Sequence, residues 1–439
     1  MARFASVAHT ERGLDRLINF SDAVIAIAAT LLILPIVEIT NDILSKGGEL
    51  SDLLSRETRL QVASFAVGFY FMTMFWRRHH EIFERVKDYS PGLIVLNFLW
   101  LISMVFFAFP IGFLYQSNVG IASLYLVNLG IISVLLSLTR IYISRHPNLS
   151  IDPEQKLEKN YFIFAFVYPA LLFLTVLATS VLDANAFFLL LLGIPIRLFS
   201  RRYKPPPPTH TERGMDRVVN FSDAVVAIAI TLLILPLVDI ITDDRGNPQD
   251  LFLIRPEVIA KIIVFAFTFW LMSRQWLINH RLFENVRDYS RRLIRLTFLW
   301  LLLIVFVAIP SALMGHSYAG LFGVNDQVFQ DLISRFPQIS LLFGTVLAFI
   351  SLTTAFIKNH LKRHPELLVD PKQPLLPRAN YYVAVLYSVV GAAPLLLTGL
   401  GYESLGFWSP LGFLLLPFVI GLAARQDAVK GSTRTPSEV

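Results

Sequence analysis

A 20-residue apolar segment occurs twice in this chain of 439 residues, and it constrains the fold more than any other feature. "RLINFSDAVIAIAATLLILP" begins at Arg16, and "RVVNFSDAVVAIAITLLILP" begins at Arg217. Sixteen of the 20 positions are identical, and the other four exchange one apolar residue for another. An α-helix needs about 20 apolar residues to cross a bilayer. Each copy is therefore predicted to span a membrane, although each carries an Asp near its start.

The composition of the chain is that of a membrane protein. Hydrophobic residues make up 55% and charged residues only 16%, whereas an average soluble domain is about 25% charged. The formal charge of +6 would also suit a nucleic-acid-binding protein, but the Lys and Arg residues lie in short loops between apolar runs, so no nucleic-acid partner is predicted. The chain has no cysteine, which excludes disulfides, thiolate metal sites and Cys nucleophiles.

The repeat extends well beyond the opening segment. "HTERG" at 9 returns at 210, "FLW" at 98 returns at 298, and "RHP" at 145 returns at 363. Twelve apolar runs long enough to cross a bilayer lie at about 17–37, 60–79, 92–115, 121–143, 161–182, 185–200, 218–241, 257–277, 293–314, 338–357, 381–400 and 406–424. The sequence thus predicts an all-α membrane protein of two six-helix repeats. The predicted bounds are 1–203, a Pro-rich linker at 204–210, 211–425 and a tail at 426–439.

The distribution of basic residues predicts the topology. With the N-terminus inside, 31 of the 38 Lys and Arg residues fall on the cytoplasmic side, as the positive-inside rule requires. Both termini are then cytoplasmic. Because each repeat has an even number of spans, the repeats are predicted to run parallel, whereas inverted repeats are commoner in secondary transporters.

The first helix of each repeat is predicted to have two specialised faces. At 100° per residue, one line collects Arg16, Phe20, Ala23, Ile27, Thr30 and Leu34 in the first repeat, and Arg217, Phe221, Ala224, Ile228, Thr231 and Leu235 in the second. The Ser-Asp pair, Ser21 and Asp22, falls on another face near the cytoplasmic end.

A charged Asp at membrane depth costs about 2.5–3.5 kcal/mol on insertion scales, so Asp22 and Asp223 should find partners inside the bundle. The second span of each repeat places a Trp and a His four residues apart, hence on one helical face, as Trp76/His80 and Trp276/His280. A network of Arg, Ser, Asp, Trp and His is the natural hypothesis. It could be only structural, or it could act as a proton-linked switch or a pH-sensitive gate.

No other motif indicates chemistry. His79, His146, His360 and His364 are interpreted as loop or interfacial histidines. No cluster of His, Asp or Glu has metal-ligand spacing, and a nucleophile elbow, P-loop or dinucleotide fingerprint is missing from the sequence. The chain is therefore predicted not to be an enzyme and to hold no metal or cofactor.

The Arg-x-x-x-Phe-Ser-Asp pattern at the start of each repeat resembles the endosomal and lysosomal potassium channel family and its prokaryotic relatives, in a two-repeat form. The resemblance covers nearly the whole chain. Its motif residues are Arg16, Phe20, Ser21, Asp22, Trp76 and His80 in the first repeat, and Arg217, Phe221, Ser222, Asp223, Trp276 and His280 in the second.

The resemblance implies a pore lined by the first helices, without a carbonyl-lined filter loop. It implies an apolar constriction at Ile27 and Ile228. By the same resemblance a hydroxyl layer is formed by Thr30 and Thr231, and an outer apolar layer by Leu34 and Leu235. Two-repeat members of the family form dimers, which gives four pore helices. The membrane is the cell membrane for a prokaryotic protein and the endosomal or lysosomal membrane for a eukaryotic one.

The leading hypothesis is a passive, potassium-selective leak channel, with proton permeability left open. One chain supplies only two such helices, too few to enclose a pore, so a homodimer in the lipid bilayer is predicted. The permeant potassium ion is then the ligand. The rival hypotheses are a proton-coupled transporter that uses Asp22 and Asp223, and a non-conducting scaffold. Against a transporter, Pro35 and Pro236 are expected at the far ends of unbroken helices.

Overall fold

A computed structural model describes residues 11–45, 55–111, 118–152, 159–192, 212–237, 256–320 and 326–402, and five single residues between 406 and 416. Most residues within these ranges are helical. The helices are α1 (Glu11–Leu31), α2 (Leu34–Ser45), α3 (Arg56–Phe83), α4 (Pro91–Phe106), α5 (Ala108–Ile111), α6 (Val119–Arg145), α7 (Lys159–Leu182), α8 (Glu212–Leu232), α9 (Pro256–Phe283), α10 (Arg291–Phe306), α11 (Ala308–Gly320), α12 (Asp326–Arg363) and α13 (Pro377–Gly399). Short 3₁₀ segments occupy Pro147–Leu149, Asp183–Leu192 and Pro365–Leu367.

Eight helices in the described part of the chain are long and apolar enough to cross a membrane. They are Arg12–Thr40, Pro91–Pro110, Val119–Arg145, Arg213–Leu237, Val258–Phe283, Arg291–Tyr318, Arg335–Arg363 and Pro377–Gly399. Each coincides with a predicted span, and the all-α membrane fold is confirmed. The predicted spans at 60–79 and 161–182 are also helical, as α3 and α7, but polar residues at both ends of α3 shorten its apolar run.

The remaining predictions fall largely outside the described residues. The predicted span at 185–200 is a 3₁₀ segment up to Leu192 and lies outside the described part beyond it. Only five residues of the span at 406–424 are described, and the linker at 204–210 and the tail at 426–439 lie outside altogether.

The chain groups into two compact units, of which the first comprises residues 1–35 and 55–224. In this unit α1 packs against α3 and α4, and α6 packs against α4 and α7. A buried apolar cluster joins these helices near the start of α1, and its members are Leu14, Ile18, Phe83, Val86, Leu93, Ile143 and Leu149. This unit also contains the first three turns of α8, the helix that opens the second repeat.

The second unit comprises residues 36–54 and 225–439. Its most extensive helix pair is α12 with α13. These two backbones approach closely at Gly344 and Gly391, where a Cβ on Gly344 would lie 2.6 Å from the Gly391 Cα. Such an approach requires glycine on both helices, because any side chain would push the helices apart.

Each repeat contains the same short contact between two loops. In the first, Lys87 N donates to Leu149 O at 2.9 Å and Ile151 N donates to Arg85 O at 2.9 Å. In the second, Arg287 N donates to Leu367 O at 3.0 Å and Val369 N donates to Asn285 O at 2.9 Å. These contacts tie the loop after the second span to the "RHP" loop, which explains why both loops recur in the sequence.

The third span of each repeat also has the same local design. Ser90 and Ser290 cap α4 and α10, and each hydroxyl accepts a bond from the backbone N–H three residues on. Both helices are interrupted three residues before Pro110 and Pro310, since proline cannot donate the next helical hydrogen bond.

Candidate functional site

The helix α1 has a buried polar face and an exposed apolar face. Ser21 and Asp22 are buried, with 0% and 2% of their surface exposed. Phe20 and Ile27 are 49% and 45% exposed, and Leu31 continues this line one turn further on. Asp22 therefore points into the bundle of its own unit, while the apolar line lies on the outside of the single chain.

Three donors satisfy the buried Asp22 carboxylate. Arg217 approaches it side-on, with Nε 2.9 Å from Oδ2 and Nη2 2.8 Å from Oδ1. The indole Nε1–H of Trp76 donates to the same Oδ1 at 2.8 Å. The Asp22 and Arg217 side chains are each 2% exposed. A bidentate pair of this kind is the strongest arrangement that an arginine and a carboxylate can form.

The arginine of this pair comes from the other repeat. Arg217 lies on α8, while the equivalent Arg16 on α1 is exposed. The sequence pattern indicated an Arg as a partner of the Asp, but it did not show that the arginine of the second repeat pairs with the Asp of the first. The reason is geometric, because Arg16 lies on the exposed face of α1 and the carboxylate of Asp22 lies on the buried face.

The start of α8 docks on the first unit along one helical face. Arg213 Nε lies 3.1 Å from Asp15 Oδ1, and Arg213 Nη1 donates to Val86 O at 3.2 Å. Two turns later, the ring of Phe221 lies 4.5 Å from the ring of Trp76. We call the set of Asp22, Trp76, His79, Arg217 and Phe221 the Asp22 junction.

His79 belongs to this junction, and its interpretation as a loop or interfacial histidine was wrong. It is 1% exposed, because α3 continues to Phe83 and holds it inside the bundle. Its Nδ1 lies 3.3 Å from Arg217 Nη2, and its Nε2 lies 2.9 Å from Asn97 Oδ1. The ring stacks on Trp100 at 4.1 Å. Asn97, a polar residue in a mostly apolar helix, was the sequence signal that could have revealed it.

The other histidines divide into two groups. His146 and His364 are exposed at helix ends, as the sequence indicated. His360 is instead buried, and its Nε2 lies 2.6 Å from the Ser290 hydroxyl that caps α10. His80 stacks on Trp76 at 5.0 Å and lies 3.8 Å from Glu84.

The corresponding residues of the second repeat are more exposed. Trp276 and His280 stack at 5.0 Å, as Trp76 and His80 do. The His280 side chain is 38% exposed, and it lies 3.4 Å from Glu284, which is 63% exposed. Both members of the equivalent pair in the first repeat have fully buried side chains.

The predicted pore-lining residues differ between the two repeats. Thr231 is exposed, whereas Thr30 is 0% exposed, contrary to the expectation that both lie on one open stripe. Each threonine hydroxyl donates to a backbone carbonyl of its own helix at 2.8 Å, Thr30 to Ile27 O and Thr231 to Ile228 O. Ile228 is half-buried, as are Leu34 and Leu235.

The first helix of each repeat is broken, which corrects the expectation of unbroken helices. The helical pattern stops at Leu32–Ile33 and again at 233–234, just before Pro35 and Pro236. Ile33 N bonds to Thr30 O at 3.2 Å, three residues back instead of four. Proline causes the break, because it lacks an N–H and its ring clashes with the preceding turn. The breaks lie inside the candidate spans.

No group of three His, Cys, Asp or Glu side chains in the described ranges could hold a metal ion. The charged groups of the site instead neutralise one another, as in the pair of Arg217 with Asp22.

Comparison with known proteins identifies the relatives of this chain. A family model described as "Endosomal/lysosomal potassium channel TMEM175" matches residues 16–108 and, a second time, residues 217–308. Both halves of the chain are thus similar to the TMEM175 family. Each matched segment begins at the arginine of the Arg-x-x-x-Phe-Ser-Asp motif and ends within the third predicted span of its repeat.

Curated TMEM175 proteins from animals match at low identity. The human "Endosomal/lysosomal proton channel TMEM175" is 22% identical over 312 residues, which cover 63% of this chain and 61% of the human protein. The protein of the same name from Danio rerio is 23% identical over 322 residues, covering 63% and 59%. That from Mus musculus is 21% identical over 311 residues, covering 62% and 60%. The chain thus spans about 60% of the length of the curated relatives that it matches. TMEM175 proteins are described as ion channels, which agrees with the prediction that this chain is not an enzyme.

Proposed function

We propose that this chain forms a passive cation channel that conducts potassium and also admits protons. The observation that carries the proposal is the division of α1 into two faces, since Asp22 is 2% exposed and Ile27 is 45% exposed. A helix that buries Asp22 and, beyond its first two turns, exposes a line of apolar and small residues is suited to a hydrophobic pore wall. The descriptions of the matched family and of the curated relatives, which name potassium and proton channels, support the same function.

In the proposed pore, Ile27 and Ile228 form the narrowest point. Two copies of each would give a ring of four isoleucines. An apolar ring narrow enough to dewet blocks ions without any charged gate, and it opens when it widens enough to admit water. The Asp22 junction then has a mechanical role, because it fixes the cytoplasmic half of the pore helices.

The proposal requires a second copy of the chain, and the exposure of equivalent residues supports this. Phe221 is 1% exposed in its docked position, whereas the equivalent Phe20 is 49% exposed. Arg217 is 1% exposed, whereas Arg16 is exposed. One motif helix thus has its arginine and phenylalanine inserted into a receptor site, and the other presents the same side chains at the surface.

The receptor residues show the opposite asymmetry. In the first repeat the Trp76 and His80 side chains are both 0% exposed beneath Arg217 and Phe221. In the second repeat the equivalent Trp276 is half-buried and His280 is more exposed. We infer that Arg16 and Phe20 of one chain dock on Asp223 and Trp276 of another. A two-fold dimer satisfies both exposed faces at once and closes the ring.

A groove beside α1 is the place where the second copy would enter. It is a shallow groove of about 380 Å³ that is open to the surface, and its lining residues are Gly13, Arg16, Leu17, Phe20, Tyr89 and Phe98. Its lining is aromatic with one arginine, which matches an aromatic and acidic counterpart such as Trp276 with Asp223.

The hydroxyl layer of the proposed pore rests mainly on Thr231. Because its hydroxyl hydrogen is donated to Ile228 O, the oxygen lone pairs point outward. Oxygen lone pairs can replace part of the hydration shell of a cation but not that of an anion. This favours a cation as the permeant ion.

The test is a liposome flux assay on the purified full-length chain. Potassium-loaded vesicles should lose potassium down its gradient, with no added substrate and no saturation at high potassium. Protein-free vesicles of the same lipid composition serve as the control. Vesicles as tight as protein-free ones would exclude the channel and favour a non-conducting scaffold.

A proton-coupled transporter is the second candidate, and the breaks before Pro35 and Pro236 are the observation that favours it. Discontinuous transmembrane helices often form substrate sites in transporters, although both breaks here lie in the far part of their candidate spans. This candidate predicts saturable flux that depends on a second substrate and stops when Asp22 or Asp223 is replaced by Asn. Flux that needs potassium alone excludes it.

A further inference from the structure

The two repeats differ at one chemically important position of the Asp22 junction. His79 in the first repeat corresponds to Asn279 in the second, and its neighbour Asn97 corresponds to Thr297. We propose that His79 is the positioning residue that holds Arg217 on Asp22, that it does so only as the neutral imidazole, and that acidification therefore releases the start of α8.

The hydrogen-bond chain behind His79 fixes its tautomer. The Ser21 hydroxyl donates to Leu17 O at 2.8 Å, so its oxygen is an acceptor for Asn97 Nδ2 at 2.8 Å. The amide of Asn97 therefore presents its Oδ1 to His79 Nε2 at 2.9 Å. An amide oxygen can only accept, so Nε2 carries the hydrogen.

With the hydrogen on Nε2, Nδ1 of the neutral ring has a free lone pair. Arg217 Nη2 lies 3.3 Å from this Nδ1 and can only donate. His79 thus accepts a hydrogen bond from the same guanidinium nitrogen that pairs with Asp22 Oδ1. The relay from Arg217 through His79, Asn97 and Ser21 is complete only when each group keeps this one orientation.

Protonation of Nδ1 would reverse this contact. Two donors and two positive charges would then face each other at 3.3 Å in a buried site. The charged and titratable groups around His79 come from three directions. Arg217 faces it from α8, with Asp22 of α1 behind that arginine, and His80 with Glu84 lies beyond it on its own helix. Helix α4 contributes the neutral Asn97 and Trp100.

Because the Asp22 carboxylate is already paired with Arg217, it gives little net attraction to a second cation. The second repeat carries Asn279, which no proton in the physiological range can charge. The junction built on His79 is therefore acid-sensitive, and any equivalent junction built on Asn279 is not.

This inference deepens the proposed function, since it rests on the role given there to the Asp22 junction in fixing a pore helix. Its test needs no ion current. If the flux assay fails but the labelling experiment below shows acid release of α8, the role of His79 holds and the channel does not. If ions flow but labelling does not change with pH, the channel holds and the role of His79 does not.

The experiment measures thiol labelling on α8 in the full-length chain. The native sequence has no cysteine, so a single one can be introduced without background. Val218→Cys places a thiol at a position that is 1% exposed next to Arg217. Asn220→Cys places one at an exposed position of the same helix, and its rate corrects for the intrinsic reactivity at each pH. A pyridyl disulfide reagent, which reacts with thiols in acid as well, labels both.

The ratio of the two rates reports release of α8. It should rise on the order of tenfold between about pH 7.5 and about pH 5, the range in which an imidazole changes charge. In a His79→Asn background the ratio should stay low and flat, because the shorter amide can accept from Arg217 and cannot be protonated. In a His79→Gln background the ratio should be high at every pH, because the longer amide reaches Asn97 but offers no acceptor at the Nδ1 position.

Three results would overturn the proposal. One is a ratio that does not change with pH in the native background, which needs no His79 variant to measure. Another is an unchanged pH response in His79→Asn, which would assign it to His80 and Glu84. The third is an equal ratio of labelling rates in His79→Asn and His79→Gln. If His79 only filled space, the two amide side chains would have the same effect.

Discussion

Arg217 of the second repeat forms a buried bidentate ion pair with Asp22 of the first repeat, with nitrogen-to-oxygen distances of 2.9 and 2.8 Å. The equivalent arginine, Arg16, is exposed. The same motif therefore does two different things in one chain. One copy of its arginine completes the chain's own fold, and the other is available to a second molecule.

Because Arg217 is buried in an ion pair and Arg16 is exposed, the two arginines should differ in their contribution to stability. Arg217→Leu removes one partner of a buried pair and leaves the Asp22 carboxylate uncompensated, so the free energy of unfolding should fall by about 3–5 kcal/mol. Arg16→Leu, the matched control, changes an exposed side chain and should alter it by less than about 0.5 kcal/mol. Chemical unfolding in detergent micelles, with the protein diluted to the monomer, measures both. Equal losses of unfolding free energy in the two variants would show that the buried ion pair stabilises the fold no more than the exposed Arg16 does.

The second prediction concerns assembly. Arg16→Asp should shift the protein from dimer to monomer, because the exposed face of α1 then presents a carboxylate where the partner is proposed to offer Asp223. Light scattering of the detergent complex, corrected for bound detergent, gives the mass. Arg59→Asp, which reverses another exposed arginine on α3, should leave the dimer intact. A dimer that survives Arg16→Asp would place the interface elsewhere.

The third prediction concerns the constriction. Ile27→Asn combined with Ile228→Asn should raise the conductance several-fold, because polar side chains keep the narrowest part of the pore wet. The exposed Ile131 on α6 provides the matched control, since Ile131→Asn introduces the same change away from the proposed pore. If the double variant and the Ile131→Asn control change the current equally, or if neither changes it, Ile27 and Ile228 do not form the gate.

The fourth prediction separates the two threonines. Thr231→Val removes an exposed hydroxyl from the proposed ion path and should weaken the preference for potassium over sodium, measured as a shift in reversal potential under mixed ions. Thr30→Val changes a side chain that is 0% exposed and should leave that preference unaltered. The opposite ranking would mean that the pore runs along the Thr30 side of the helix.

Much of the fold could be predicted from the sequence, because its signals are local and repeated. Runs of 20 apolar residues and the recurring "HTERG", "FLW" and "RHP" segments place the helices and the two repeats. The burial of Asp22 beside Trp76 also follows from the sequence, since a charged group at that depth needs partners and the helical spacing offered an indole.

The pairing between repeats could not be predicted from the same signals. The neighbours of the two motif arginines differ only by exchanges of one apolar residue for another, so local patterns cannot distinguish Arg217, which is buried, from Arg16, which is exposed. The role of His79 was missed for a related reason. Two adjacent histidines at the end of an apolar helix look interfacial until the tertiary fold brings Asn97 and Arg217 to one of them. The break before Pro35 was underestimated because the helix resumes after it as α2.

We propose that this chain passes potassium passively through a pore of its own. The most direct measurement is the reversal potential of currents through the reconstituted protein in a planar bilayer with unequal potassium on the two sides. We expect discrete channel openings whose reversal potential follows the potassium equilibrium potential as the gradient is changed. A reversal potential that ignores the potassium gradient would contradict it.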